Sequence, residues 1–121
     1  MAKIKVKITL TNPEKTITDT YSAIFNKETQ EIIYQEKDKT IVKYIFPENT
    51  LIRENAEIRL EYHFIKNRST QGIIYIKDLN KTLELSIKTK EIKTSKNNLK
   101  INYFIDQEEF NYKMEEIKWV Y

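Results

Sequence analysis

The sequence predicts an all-β fold, an antiparallel meander closed into a barrel. Three observations carry that expectation. Apolar residues recur with a period of two over nearly the whole chain. Turn-forming residues interrupt them at short intervals. Two of the resulting segments are too long to lie flat over a core of this size.

The period is clearest at three places. Ile4, Val6, Ile8 and Leu10 alternate with Lys3, Lys5, Lys7 and Thr9. Ile58, Leu60, Tyr62 and Phe64 alternate with Glu57, Arg59, Glu61 and His63. Leu99, Ile101, Tyr103 and Ile105 alternate with Lys100, Asn102 and Phe104. One face turned inward and one to water is the pattern of antiparallel sheet. No stretch repeats at helical spacing. The turn signals are "TNPEK", "NKETQ", "EKDK", "PEN", "REN", "KNRS", "DLNK", "SKNN" and "DQEE". They divide the chain into about ten strands, near 3–11, 15–25, 30–36, 40–46, 50–54, 57–65, 73–78, 82–94, 98–106 and 109–120.

Residues 82–94 and 109–120 would each run about 40 Å if flat, at roughly 3.3 Å per residue. They must therefore bend. Leu83, Leu85 and Ile87 share one parity and Ile92 has the other. Phe110, Tyr112 and Met114 likewise give way to Ile117, Trp119 and Tyr121. A parity switch means an extra residue, so β-bulges are expected at Lys90-Glu91 and Glu115-Glu116. Long bulged strands in a meander roll a sheet into a barrel of about eight to ten strands. A two-sheet β-sandwich is the alternative.

The chain holds a single glycine. Asn and Asp take its place in the turns, since both tolerate positive φ better than other side chains. Gly72, in "STQGI", stands where the chain is expected to enter a strand. A glycine there marks a bend or a close backbone approach, or simply a permissive loop.

At 121 residues the chain is expected to form one domain, spanning 1–121. Its net charge of +3 carries little weight, because Lys is favoured over Arg throughout and only Arg53, Arg59 and Arg68 offer a guanidinium fork. Cysteine is absent, which excludes disulfides, thiolate nucleophiles and Cys-ligated metals. The opening "MAKIKVKITL" alternates Lys with aliphatics and lacks the unbroken apolar run of a signal peptide. A cytoplasmic location and no membrane association are the expectations.

A resemblance enters at "IYIKDLNKTLELSIKTKEI", residues 74–92. Tyr75, the Asp78-Leu79-Asn80 turn, Leu83-Glu84-Leu85, Ile87, Thr89 and Ile92 resemble a pattern of the YwiB-like family of small bacterial proteins of unknown function. "IYQE", with Tyr34 and Glu36, is similar to that family's Tyr-x-Glu strand. "TLIREN" is similar to its strand ending in Arg, here Arg53, and "LKINYFI" to its Leu-x-Ile-x-Tyr strand. Asn55 and Asn80 stand where the family tends to have glycine. The resemblance implies a calycin-like barrel of the lipocalin and streptavidin type. It carries no activity with it.

The candidate ligand-binding set is Tyr34, Glu36, Arg53, Tyr75, Thr89 and Tyr103. Glu36 continues the parity of Ile32 and Tyr34, and Arg53 that of Leu51, so each is expected on an apolar face near a barrel mouth. A buried charge requires a partner, and an Arg53–Glu36 pair ringed by tyrosine hydroxyls would satisfy both. Such a pair could anchor a small ligand or simply close a filled barrel.

Other chemistry finds less support. His63 shares a face with Glu57, Arg59 and Glu61, which suggests a surface ladder ahead of a general base. One glycine cannot build a phosphate loop. No metal site, cofactor or catalytic residue is expected. The acidic groups Asp106-Glu108-Glu109 and Glu115-Glu116 read as solvated, because strand neighbours point to opposite faces. Lys3, Lys5 and Lys7, with Lys88, Lys90, Lys93 and Lys96, raise a nucleic-acid reading, yet they alternate with aliphatics and glutamates rather than aromatics. Trp119-Val120-Tyr121 either completes the core or forms a homodimer patch.

The functional expectation is therefore a non-enzymatic binding or accessory protein. It would hold a small ligand in or at the mouth of the barrel, as monomer or homodimer. The alternatives are a nucleic-acid-binding barrel and a small barrel enzyme using Tyr, Glu and Arg groups.

Overall fold

The structure, a computed structural model, describes residues 2–105 and 112–120. Its strands are Ala2–Thr11 (β1), Thr16–Asn26 (β2), Glu31–Gln35 (β3), Ile41–Ile45 (β4), Thr50–Glu54 (β5), Ile58–His63 (β6), Ser69–Ile76 (β7), Lys81–Ser95 (β8), Asn98–Ile105 (β9) and Tyr112–Val120 (β10). Each pairs antiparallel with its chain neighbours, and β1 pairs with β10, so the sheet closes into a barrel. The barrel expectation holds and the sandwich falls away. The strands end within a few residues of the expected positions. The exception is β7, which starts at Ser69 and so places Gly72 inside a strand. Residues 106 and 109–111 of the expected last two strands lie outside the described residues.

Period two becomes inside and outside. Val6, Ile32, Val42, Ile87 and Leu99 are buried completely or nearly so, while Lys3, Lys5 and Lys7 point out. Aromatic rings pack against one another in the interior. Phe46 meets Tyr44, Phe25 and Trp119 at centroid distances of 5.1, 6.4 and 5.5 Å. Phe64 and Tyr103 approach to 5.0 Å. Trp119 thus completes the core, as one of its two expected uses required.

Asparagine does take glycine's place in the turns. Asn49, Asn67, Asn80 and Asn97 hold φ of 46°, 62°, 47° and 60°. Gln30 and Lys39 hold positive φ as well. Asn12 and Asn55 act through their side chains: each Oδ1 accepts two following backbone N–H groups at 2.8–3.0 Å.

The bulge expected near Lys90-Glu91 is present. The β8–β9 register shifts between Thr89 and Glu91, which returns Ile92 to the inner face opposite Ile101. The bulge expected at Glu115-Glu116 is not. The registers of β10 with β1 and with β9 run without a shift from Met114 to Lys118. Both neighbours hold the strand in one register, so Glu115 keeps the inward parity of Ile117.

Gly72 is a close-approach glycine. A Cβ there would lie 2.6 Å from Ile87 Cδ1 and 2.7 Å from Tyr62 Cδ1. Its cross-strand partners are Tyr62 and Leu85. The Tyr62 ring occupies the space where a side chain would sit, which lets an aromatic fit into a narrow wall. Gly72→Ala is therefore expected to lower stability by about 1–3 kcal/mol through overpacking. Urea unfolding at matched m-values checks it; an unchanged or raised midpoint would show that the ring yields freely.

Candidate functional site

At one end of the barrel, apolar filling gives way to a compact polar cluster. Arg53 sits on β5 between Val42 of β4 and Leu60 of β6, with its side chain directed inward. Its Nη1 donates to Glu36 Oε1 at 2.9 Å and its Nη2 to Glu115 Oε1 at 2.7 Å. The Tyr103 hydroxyl donates to Glu115 Oε2 at 3.0 Å. Tyr34 lies beside the cluster, its ring stacked on Tyr21 at 5.3 Å. Arg53, Glu36 and Glu115 retain only 20%, 20% and 14% of side-chain exposure, so these are charges largely removed from water.

Burial disfavours the charge on Arg53, but Glu115, Tyr34 and Glu36 more than restore it and hold the guanidinium firmly protonated. Burial pushes the Tyr103 hydroxyl well above its ordinary value, and the Glu115 carboxylate adds to the rise. The Tyr34 hydroxyl is pushed up by burial too, with Arg53 pulling it down and Glu115 and Glu36 raising it. Tyr44, deeper in the barrel and donating to Asn49 Oδ1 at 3.0 Å, is raised by burial and by Glu115.

The structure brings together Tyr34, Glu36, Arg53 and Tyr103 from the expected set. It does not bring in Tyr75 or Thr89. Tyr75 pairs with Arg59 on the outer wall, and its hydroxyl donates to Asn80 Oδ1 at 2.6 Å. Thr89 is fully buried opposite Tyr103, and its Oγ1 has no hydrogen-bond partner among the described residues. Its backbone instead ties down the β6–β7 turn, accepting from Asn67 N–H at 2.8 Å and donating to Arg68 O at 3.1 Å.

Glu115 is the member that sequence reasoning missed. The sequence pattern puts it in a solvated doublet beside an expected bulge. Counting back in twos from Trp119 through Ile117 would have turned it inward. His63 lies in the surface ladder expected of it: Nε2 is 3.1 Å from Glu61 Oε2 and Nδ1 is 2.9 Å from Thr50 Oγ1. Among the described residues no group of three or more His, Asp or Glu is arranged to hold a metal ion.

Below the cluster the barrel is filled. The void between Arg53, Tyr34, Tyr44, Leu51 and Glu115 measures about 10 Å³, about enough for one water. Above it, a hollow of about 290 Å³ opens at the mouth, floored by Arg53 and Glu115. Its walls are Leu10, Ile17, Leu51, Leu60, Tyr62, Tyr103, Ile105 and Met114, with Thr11, Asn12 and Lys113 beside them.

The chain is similar to a solved structure, the crystal structure of the ywiB protein from Bacillus subtilis. The TM-score is 0.63 at 17% sequence identity, over 97% of this chain and 88% of that one. At that identity the likeness is one of fold. No protein-family model and no curated protein sequence matches the chain. No helix among the described residues is long and apolar enough to cross a membrane.

Two outcomes follow from this geometry. Arg53→Met leaves two largely buried carboxylates facing each other and should lower stability by about 2–3 kcal/mol. The triple replacement Arg53→Met, Glu36→Leu, Glu115→Leu removes all three charges and should recover most of that loss. Urea melts of both variants decide it; a triple variant no more stable than Arg53→Met would contradict the charge argument.

The second outcome concerns alkaline pH. Tyr34, Tyr44 and Tyr103 have folded pKa values raised above the ordinary 10.0. Above pH 10.0 the unfolded chain therefore binds fewer protons than the folded one, and stability falls as pH rises. Below pH 10.0 that contribution is fully present. Phenolate absorbance from these three should appear only in one step with loss of near-ultraviolet circular dichroism. Ionisation of all eight tyrosines near pH 10 in an intact barrel would overturn the assignment.

Proposed function

We propose that this protein is a small non-enzymatic binding protein that takes its ligand at the barrel mouth rather than inside the barrel. The observation that carries the reading is the contrast in free space. About 10 Å³ remains beneath the Arg53 cluster and about 290 Å³ lies above it. The arrangement resembles a calycin-like barrel whose interior has been filled by its own aromatics, with the polar cluster as the floor of a shallow cup. The hollow has mostly apolar walls, with Thr11, Asn12 and Lys113 at its side and the Arg53 cluster as its floor, a mix that small-molecule sites commonly show. One guanidinium is shared by two carboxylates, so the cluster carries net negative charge. Its accepting oxygens suit a compact ligand with an apolar body and a hydroxyl or ammonium donor.

Native mass spectrometry of gently purified protein, beside a denatured control, tests the reading. The expected result is a mass excess that disappears on denaturation. Ile17→Trp fills the mouth from an exposed position; the variant should fold and arrive bare. A bare wild-type protein, or an adduct that survives Ile17→Trp, would overturn the mouth as the site.

A further inference from the structure

The barrel is closed, but its seam between β2 and β3 is only partly zipped. β2 runs from Thr16 to Asn26, yet its register with β3 covers only Ala23 to Asn26. Over Thr16–Ser22, β2 is paired with β1 alone. Hydrogen-bond alternation shows which backbone groups are left over. Asn12 N–H donates to Lys15 O at 3.0 Å across the β1–β2 turn. Bonded pairs then recur at Leu10/Ile17, Ile8/Asp19 and Val6/Tyr21 in that register. Thr16, Thr18 and Thr20 therefore direct their N–H and C=O groups away from β1, into the open seam. Among the described residues no backbone group bonds to them there.

The facing side of the notch is the β3–β4 turn, linked to β2 among the described residues by the ion pair of Lys37 Nζ with Asp19 Oδ1 at 3.3 Å. Lys37 retains 82% of its side-chain exposure, so this contact is a weak strap. Next to the notch, over the paired end of the seam, a hollow of about 790 Å³ is lined by Ser22, Ile24, Ile33, Gln35, Ile41 and Lys5.

We propose that the Thr16–Ser22 edge takes up an extended acidic segment of a partner protein as an added β-strand. The open ladder supplies main-chain hydrogen bonds in register, which is how strand addition gains affinity. The charge preference comes from the outer wall. Lys5 and Lys7 stand opposite Ser22 and Thr20, and they make no ion pair among the described residues. The hydroxyl row of β2 is short, so these lysines reach over it to side chains on the incoming strand, two strand spacings or roughly 10 Å away. Glutamate or aspartate on the outer face of that strand meets them; lysine does not. A second copy of this chain is a poorer occupant. Symmetric pairing about Asp19 sets two aspartates opposite each other, and every β2–β2 pairing places two lysine rows on one face.

The probe is a capped eight-residue peptide alternating valine and glutamate, followed by residue-resolved amide exchange on the full chain. In the free protein Thr18 and Thr20 should exchange fast while Asp19 and Tyr21, bonded to β1, are protected. The peptide should slow Thr18 and Thr20, with binding that weakens as salt is raised. A valine–lysine peptide should bind at least about tenfold more weakly, and a backbone N-methylated glutamate peptide should not bind. Thr20→Pro removes a donor that β1 does not use; the variant should fold normally and lose the peptide. Should that variant not fold, the N-methylated peptide decides the same point on the wild type. The proposal is overturned by no binding of the glutamate peptide at millimolar concentration, or by equal binding of all three peptides. It is also overturned by Thr18 and Thr20 amides already protected in the free protein, whether by this chain or, if protection rises with protein concentration, by a second copy.

Discussion

Closing ten strands on themselves fixes an interior volume that side chains must fill, and most other features of this protein answer to that constraint. Inward positions alternate without choice along each strand. The volume they share is taken up by isoleucine, valine and leucine together with tyrosine, phenylalanine and tryptophan. Gly72 belongs to the same accounting. Its missing side chain is what lets Tyr62 and Ile87 lie against the wall together. The bulge after Thr89 is another consequence, because the fifteen-residue strand β8 must bend to follow the curve and still return Ile92 to the inside.

Filling stops at Arg53. A guanidinium between two glutamates is an expensive way to end a core, and apolar residues would close the barrel more cheaply. What the cluster adds is orientation. Glu36 follows directly after β3, Arg53 comes from β5, Glu115 from β10 and Tyr103 from β9, so one network ties both sides of the mouth together. The cup above it takes its floor from that network. The unequal strands give the barrel its second feature. The β3–β6 strands are five or six residues long, while β1 and β2 have ten and eleven. The long hairpin outruns its neighbour, and the edge it exposes follows from that difference alone.

The candidate site was legible in the sequence only in part. Glu36 and Arg53 could be placed near a mouth because each continues an apolar parity on its own strand. Tyr34 and Tyr103 followed by the same count. Tyr75 did not, since the turn at Asn80 draws its hydroxyl to the outer wall. Thr89 has the right face but lies opposite Tyr103 beside the bulge, not beside the charges. Glu115 was lost for the converse reason. A bulge inferred from the switch between Met114 and Ile117 moved it out of the core, and only pairing with two neighbours shows that β10 is regular there.

The sequence by itself determined which residues form strands, which face of each is apolar, and where the chain turns. Those properties depend on side-chain alternation and on asparagine's tolerance of positive φ, and both are local. It also determined that no thiol chemistry and no glycine-rich phosphate loop is present. Only the tertiary structure decided that Arg53 meets Glu115, that the interior is full, and that Thr16–Ser22 has no second strand beside it among the described residues. Each of those depends on how far one strand runs past another, and register between distant strands is set by the closed sheet as a whole.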